Sequence, residues 1–342
     1  SLQLSIDHAL LKGDAADQRL AQRRLLALAQ RQPGGAEAQE AAALLAEEPG
    51  AEALAALRQL PAPLQNTAAV QARLALEGQG PWRAVLQRWP RQPASWELQW
   101  QRARGHLLAR QWAEADAVLT AIEAQWLPAP LAARQLFWRG YAAERRGNPA
   151  QARRLWLAVL RSHPGGYYGW RAAERLGLAP PTPATSSTAW RPLNSGQGEL
   201  DALWSSGQAL EAWESWRHQR RGQPASGPQQ LALEGRLRTG IGDDWTGLGQ
   251  LEFANLRLPQ TNCRQQWQRA QQQHPRRFQT ELGQASREEG VDQELLWAVA
   301  RQESRFSPGV SSPVGAVGLL QLMPETAAEL AGRRVSSEEL QS

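Results

Sequence analysis

Glu303 is the carboxylate in this chain best placed to do chemistry. It lies in the stretch Leu295 to Gly332, LLWAVARQESRFSPGVSSPVGAVGLLQLMPETAAELAG. Leu295, Leu296, Val299 and Phe306 recur at helical spacing, and Glu303 sits four residues after Val299 and three before Phe306, so it is expected to project from an apolar helix face. Ser307 precedes Pro308, which biases it away from helical geometry, so the helix should end there with Glu303 in its last turn. Apolar surroundings and the carbonyl end of a helix both favour a neutral carboxyl, and a protonated carboxyl serves as a general acid. The competing assignment for Glu303 is an ion pair with Arg301 or Arg305 on a solvated helix end.

Other candidate constellations are weaker. His8, His106, His163, His218 and His274 are scattered without metal-ligand spacing, and Cys263 is the only cysteine, so neither a metal nor a cofactor is expected. Cys263 reads as a small packed hydrophobe. The adjacent carboxylates Asp243 and Asp244 are expected in a solvated turn after Gly242. No phosphate-cradling or dinucleotide fingerprint is present.

Sixteen Trp against three Tyr and four Phe is an unusual balance, since indole faces stack on sugar rings as well as packing cores. Most should pack. Trp82, Trp89, Trp96, Trp100 and Trp112 cluster most densely and are the first candidates for a sugar-facing surface. The net charge is +5, and because Lys12 is the only lysine the positive charge is nearly all arginine, which suits carboxylates and phosphates. An anionic wall polymer and a nucleic acid both fit that charge, as does a plain solvated basic surface.

The elements that must position Glu303 read as helical throughout. The first 177 residues form consecutive short amphipathic segments separated by Gly- or Pro-containing turns, and no strand pattern competes with them. From Leu136 to Pro164 the positions of Gly140, Ala143, Gly147, Ala152 and Trp156 match a tetratricopeptide-like helix-turn-helix repeat, whose neighbours stack into a superhelix. Residues 178–198 are rich in Pro, Ser and Thr and read as an exposed connector; residues 199–270 read as a small helical linker domain; residues 271–342 hold Glu303. No apolar run is long enough to cross a bilayer.

The run around Glu303 resembles the soluble lytic transglycosylases with a goose-lysozyme-like catalytic domain. The Glu303-Ser304 pair in RQESRF looks like that family's catalytic Glu-Ser. Ser312, Gly315, Ala316, Gly318, Leu319, Gln321, Met323 and Pro324 fit its S-x-x-G-A-x-G-L-M-Q-x-M-P run, followed by Thr326 and Ala327; Leu320 stands where the family usually has Met. HPRRFQ and EEGVDQELLWAVA upstream look like the entry to the domain, so close matching covers about residues 274–335.

The resemblance implies an all-α fold, a superhelix followed by a linker domain and the first part of a lysozyme-like α domain, with GGYYGWRAAERLG (165–177) as the last superhelical segment. The family's later Ala-Tyr-Asn-Ala-Gly-like motif and Tyr do not occur in the sequence, so the chain is expected to stop inside its active domain and to turn over little as it stands. The implied activity is cleavage of the β-1,4 bond between N-acetylmuramic acid and N-acetylglucosamine in peptidoglycan, leaving a 1,6-anhydro end, with Glu303 as acid and then base. Ser304, Ser312, Gln321 and Met323 are implied to line the cleft, with Gly315 and Gly318 allowing close backbone approach. Peptidoglycan is then the expected partner and nucleic acid is not, with a periplasmic or cell-envelope location. A goose-type lysozyme hydrolase and a non-catalytic helical-repeat scaffold are the alternatives.

Overall fold

The computed structural model describes residues 2–179, 191–259 and 262–341. Among them the chain is all-α: twenty-one α-helices, one short 3-10 turn, and only two isolated antiparallel bridges, pairing Val317 with Ser311 and with Leu322. Helix starts follow local chemistry. The side chains of Asp14, Asn262 and Asp292 accept hydrogen bonds from first-turn amides, and prolines open the helices Pro93–Leu108, Pro228–Gly240 and Pro324–Ala331, where a missing N–H costs nothing. Most of the expected connector, residues 180–190, and the Cys263 side chain lie outside what is described.

The chain divides into two compact units. One comprises residues up to 127 together with 131–158, the other 128–130 together with the residues from 159 onward. In the first unit successive helices pack on their neighbours over a core of alanine and leucine that includes Ala21, Leu25, Ala41, Leu45 and Leu57. The expected helix-turn-helix is present as Ala129–Arg145 and Pro149–Ser162. Gly140 is required by that pair, because a Cβ there would lie 2.5 Å from the indole nitrogen of Trp156, which donates to the Phe137 carbonyl at 3.2 Å. Two buried glutamines donate to carbonyls at and just beyond the end of the Trp112–Leu119 helix: Gln99 reaches Val118 and Leu119, and Gln135 reaches Leu119 and Ile122.

The tryptophan cluster singled out above is half-buried, and guanidinium groups occupy its ring faces. Arg83 and Arg102 lie over Trp82, Arg88 over Trp89, Arg134 over Trp100 at 4.1 Å, and Arg145 over Trp112, while Trp96 spends its N–H on the Pro90 carbonyl. These stacks take up sugar-sized faces that the sequence left open.

In the second unit the helices Pro228–Gly240 and Asp244–Asn255 approach closely through a reciprocal glycine contact. A Cβ on Gly235 would meet the Gly247 carbonyl at 2.7 Å, and one on Gly247 would meet the Gly235 carbonyl at 2.8 Å. Asp243 and Asp244 are not the solvated turn that their sequence suggests. Asp243 caps its helix through the Thr246 amide and pairs with Arg238 at 2.6 Å, whereas Asp244 is buried and takes two hydrogen bonds from Arg277 at 2.8 and 2.9 Å. Burial pushes the Asp244 carboxyl above the ordinary carboxylate range, with the Arg277 hydrogen bonds pulling against it.

Candidate active site

Glu303 sits in the last turn of the Gln293–Ser304 helix, where the sequence places it. Asp292 caps the start through the Glu294 amide at 2.8 Å, and the helix stops because Arg305 and Phe306 both adopt left-handed backbone, with φ of 47° and 61°. Two consecutive non-glycine residues in that region store strain, which the buried Phe306 ring holds in place.

The buried face of this helix is not the expected one. Trp297, Ala300 and Ser304 turn inward, and Trp297 and Ala300 join Leu248, Leu251, Leu282 and Phe306 in one core. Trp297 donates to the Arg277 carbonyl at 2.7 Å, which fixes the roll of the helix. Leu295 and Val299 therefore face solvent, at 56% and 36% exposure, and Glu303 is exposed beside them and not enclosed in apolar surroundings.

Nor does Glu303 pair with its neighbours. Among the described residues it has no ion-pair or hydrogen-bond partner, because both flanking arginines are turned to one distant carboxylate. Arg301 Nη2 meets Glu252 Oε1 at 2.6 Å while its Nε donates to the Gln273 carbonyl, and Arg305 Nη2 reaches Glu252 Oε2 at 3.3 Å with its guanidinium 5.0 Å from the Trp245 ring. Glu252 and Trp245 both belong to the Asp244–Asn255 helix, which the Gly235–Gly247 contact and the Asp244–Arg277 pair hold in register. Nothing local in the sequence marks Glu252 for this task.

The segment after the helix folds into tight turns. Ser312 closes one of them: its amide donates to the Ala316 carbonyl, and its hydroxyl accepts from the Ala316 amide at 2.9 Å. Gly315 and Gly318 have φ of 93° and 85°, and a Cβ on Gly318 would run into the Leu340 carbonyl. Gln321, itself at a positive φ, spends its amide on the Val310 and Gly318 carbonyls. Met323 is exposed at the start of the Pro324–Ala331 helix. Ser304 departs from the expected cleft-lining position, since it is fully buried and its hydroxyl donates back to the Ala300 carbonyl at 3.0 Å. The site thus offers one unpaired carboxylate beside an apolar stripe. Among the described residues no group of three or more His, Cys, Asp or Glu side chains is arranged to hold a metal ion.

Residues 281–341 match the family model described as Transglycosylase SLT domain. The soluble lytic murein transglycosylase of Salmonella typhimurium is 27% identical over 198 residues, which is 56% of this chain and 28% of that protein. The Escherichia coli K12 protein of the same name is 57% identical over 37 residues, 11% of this chain and 6% of that protein. The chain aligns to less than a third of the length of either relative. Among solved structures, that of an inactive glutamate-to-glutamine mutant of lytic transglycosylase Slt from Pseudomonas aeruginosa superposes with a TM-score of 0.51 at 21% identity, covering 99% of this chain and 53% of that one, a likeness of fold. Residues 281–341, which include Glu303, thus match an SLT domain, and the all-helical fold is similar to that of Slt.

Proposed function

We propose that this protein is a peptidoglycan lytic transglycosylase that cleaves the β-1,4 bond between N-acetylmuramic acid and N-acetylglucosamine, with Glu303 as acid and then base. The observation that carries this reading is Glu303 itself: a helix-end carboxylate inside the matched SLT residues, exposed and unpaired because Glu252 holds the arginines on either side of it. In this scheme residues 271–342 belong to the catalytic domain, 199–270 to a helical linker, and the protein works in the cell envelope. The relatives named above are murein transglycosylases, and the solved homologue inactivated by replacing a glutamate with glutamine supports a single essential glutamate.

With Glu303 as the one carboxylate assigned to the reaction, the role of the second member of a two-carboxylate glycosidase falls in this scheme to the substrate. Glu303 gives its proton to the glycosidic oxygen as the bond from C1 to that oxygen breaks, and the muramyl N-acetyl oxygen bonds to C1. The Glu303 carboxylate then takes the proton from the C6 hydroxyl, whose oxygen attacks C1 and displaces the N-acetyl oxygen. The 1,6-anhydro ring closes with Glu303 reprotonated for the next cycle. Gly315 lets backbone approach the sugar closely and Met323 offers an apolar contact, while Gly318 admits the Leu340 carbonyl behind the turn. Ser304, Ser312 and Gln321 serve from behind, by fixing the helix end and the turns.

The test is digestion of purified sacculi by the longest chain that the reading frame encodes, alongside its Glu303→Gln variant. Fragments one water lighter than hydrolysis products are expected, and only from the unsubstituted protein. Products with reducing ends would assign the goose-type lysozyme reaction, and turnover retained in the variant would remove Glu303 from the acid role.

A further inference from the structure

The second unit contains a cavity of about 700 Å³ that the proposed chemistry does not use. Five segments wall it: the loop at 193–197, the end of the Ala209–Arg220 helix, the Pro228–Gly240 helix, Leu258 beyond the Asp244–Asn255 helix, and the Cys263–Gln273 helix. Its charged lining residues are Arg220, Arg236 and Arg269, and no carboxylate lines it.

The hydrogen bonds of these arginines go to backbone carbonyls, and the guanidinium groups of Arg220 and Arg236 also lie 5.8 Å from the Trp216 and Trp204 rings. Arg236 donates to the Leu193 and Pro192 carbonyls, Arg220 to the Pro224 carbonyl at 2.6 Å, and Arg269 to the Pro259 carbonyl at 3.2 Å. All three are half-buried, and none has a carboxylate within ion-pair distance among the described residues. Burial first, and then the neighbouring Arg191, disfavours the charge on Arg236, with Asp201 acting the other way; burial alone does the same to Arg269. An anion in the cavity would relieve both. Two buried polar atoms of lining residues, Arg220 Nε and Gln197 Oε1, also have no partner. The remaining polar lining is mostly glutamine, whose amide both donates and accepts as a peptide bond does, and Leu193, Leu233 and Leu258 supply small apolar patches. Three cations with peptide-like hydrogen-bonding groups and room for a few residues fit a short carboxylate-bearing peptide better than a neutral sugar.

We propose that this cavity binds the carboxylate-bearing stem peptide of peptidoglycan, away from Glu303. The proposal rests on the peptidoglycan reading for the identity of the peptide, but its charge logic stands apart from catalysis.

The experiment is calorimetric titration of the 342-residue chain with a free stem tetrapeptide, with the same peptide after amidation of its carboxyls, and with a neutral N-acetylglucosamine oligomer. Binding of the free peptide is expected, with a loss of about tenfold or more on amidation and in Arg220→Gln and in Arg269→Gln, since each removes a charge-assisted contact. Glu303→Gln should bind the free peptide as the unsubstituted chain does. Equal binding of the amidated peptide, or no binding of the free one, would overturn the proposal, and the amidation arm stands even if a variant fails to fold. Arginine-dependent capture without turnover of sacculi by the full reading frame would keep the cavity assignment and sink the catalytic reading, and turnover without such capture would do the reverse.

Discussion

The same substitution, Gly to Ala inside a helix, is expected to change stability in opposite directions at two positions of this fold. Alanine is favoured over glycine in a helix interior by about 1 kcal/mol. At Gly105, in the Pro93–Leu108 helix, a new Cβ meets nothing within 4 Å, so Gly105→Ala should realise most of that gain, about 0.5–1 kcal/mol. At Gly235 the Cβ would lie 2.7 Å from the Gly247 carbonyl oxygen and 2.9 Å from Leu251 Cγ. The oxygen is backbone and cannot rotate away. The two helices must part by roughly 0.6 Å, a gap that forfeits a quarter to a half of each dispersion contact across the seam. Overpacking of this kind costs about 1–3 kcal/mol, which outweighs the propensity gain, so Gly235→Ala should lose about 1–2 kcal/mol net. Hydrogen–deuterium exchange reads the two helices separately, which matters in a chain with two compact units. Protection in Pro93–Leu108 should rise about twofold to fivefold in Gly105→Ala, and protection in Pro228–Gly240 should fall about tenfold in Gly235→Ala. Equal or greater protection of Pro228–Gly240 in Gly235→Ala would refute the close-contact argument.

Double-mutant cycles on the Glu252 clamp should give a larger coupling with Arg301, at 2.6 Å and 12% side-chain exposure, than with Arg305, at 3.3 Å and 32%; both should stay near or below about 1 kcal/mol because Glu252 is partly solvated. The reverse order by urea denaturation would show that Arg305 is the principal partner. His163 is buried with its Nδ1 unpartnered, and burial holds its pKa below the ordinary value of 6.5 against a Gln266 hydrogen bond. The unfolded chain therefore takes up the proton first, and the stability His163 contributes is present above pH 6.5 and is lost as pH falls through its folded pKa. His163→Gln should flatten that acid-side loss in thermal unfolding followed between pH 7 and 5, and an unchanged pH slope would discount His163. Gly315→Ala and Gly318→Ala both incur the cost of a positive φ, about 1–2 kcal/mol, but only the second drives a Cβ into the Leu340 carbonyl. Exchange protection or protease resistance of Ser337–Gln341 should drop in Gly318→Ala alone, and equal effects would point to strain without collision.

Much of the architecture was legible because its signals are local. Helical periodicity and the repeat positions of Gly140 and Trp156 act within one or two helices, and the Ser307-Pro308 pair marks Glu303 as lying near a helix end, although the helix stops earlier, at Ser304. The roll of the Gln293–Ser304 helix was not legible. Residues 295–300 read LLWAVA, apolar all the way round, so periodicity could not phase the buried face, and the Trp297 hydrogen bond to Arg277 decided it. The partners of Arg301 and Arg305 escaped for a different reason: Glu252 lies 49 and 53 residues away, and helix-local reasoning offers an arginine only its neighbours. Asp244 was misjudged in the same way, its partner Arg277 being 33 residues distant. The cavity has no sequence signature, since five separate segments contribute its walls.

The Glu252 clamp bears on where this protein can be cut. The carboxylate that neutralises Arg301 and Arg305 lies outside the matched SLT residues, so the boundary of sequence similarity at 281 is not a boundary of electrostatic self-sufficiency. A piece beginning there would carry two arginines, two residues to either side of Glu303, with their counter-charge left behind. Such a piece could fold and still present its carboxylate in an ion pair that the longer chain does not have, and rates measured on it would describe a different electrostatic object. The smallest excised fragment that keeps the Glu303 environment begins before Asp244.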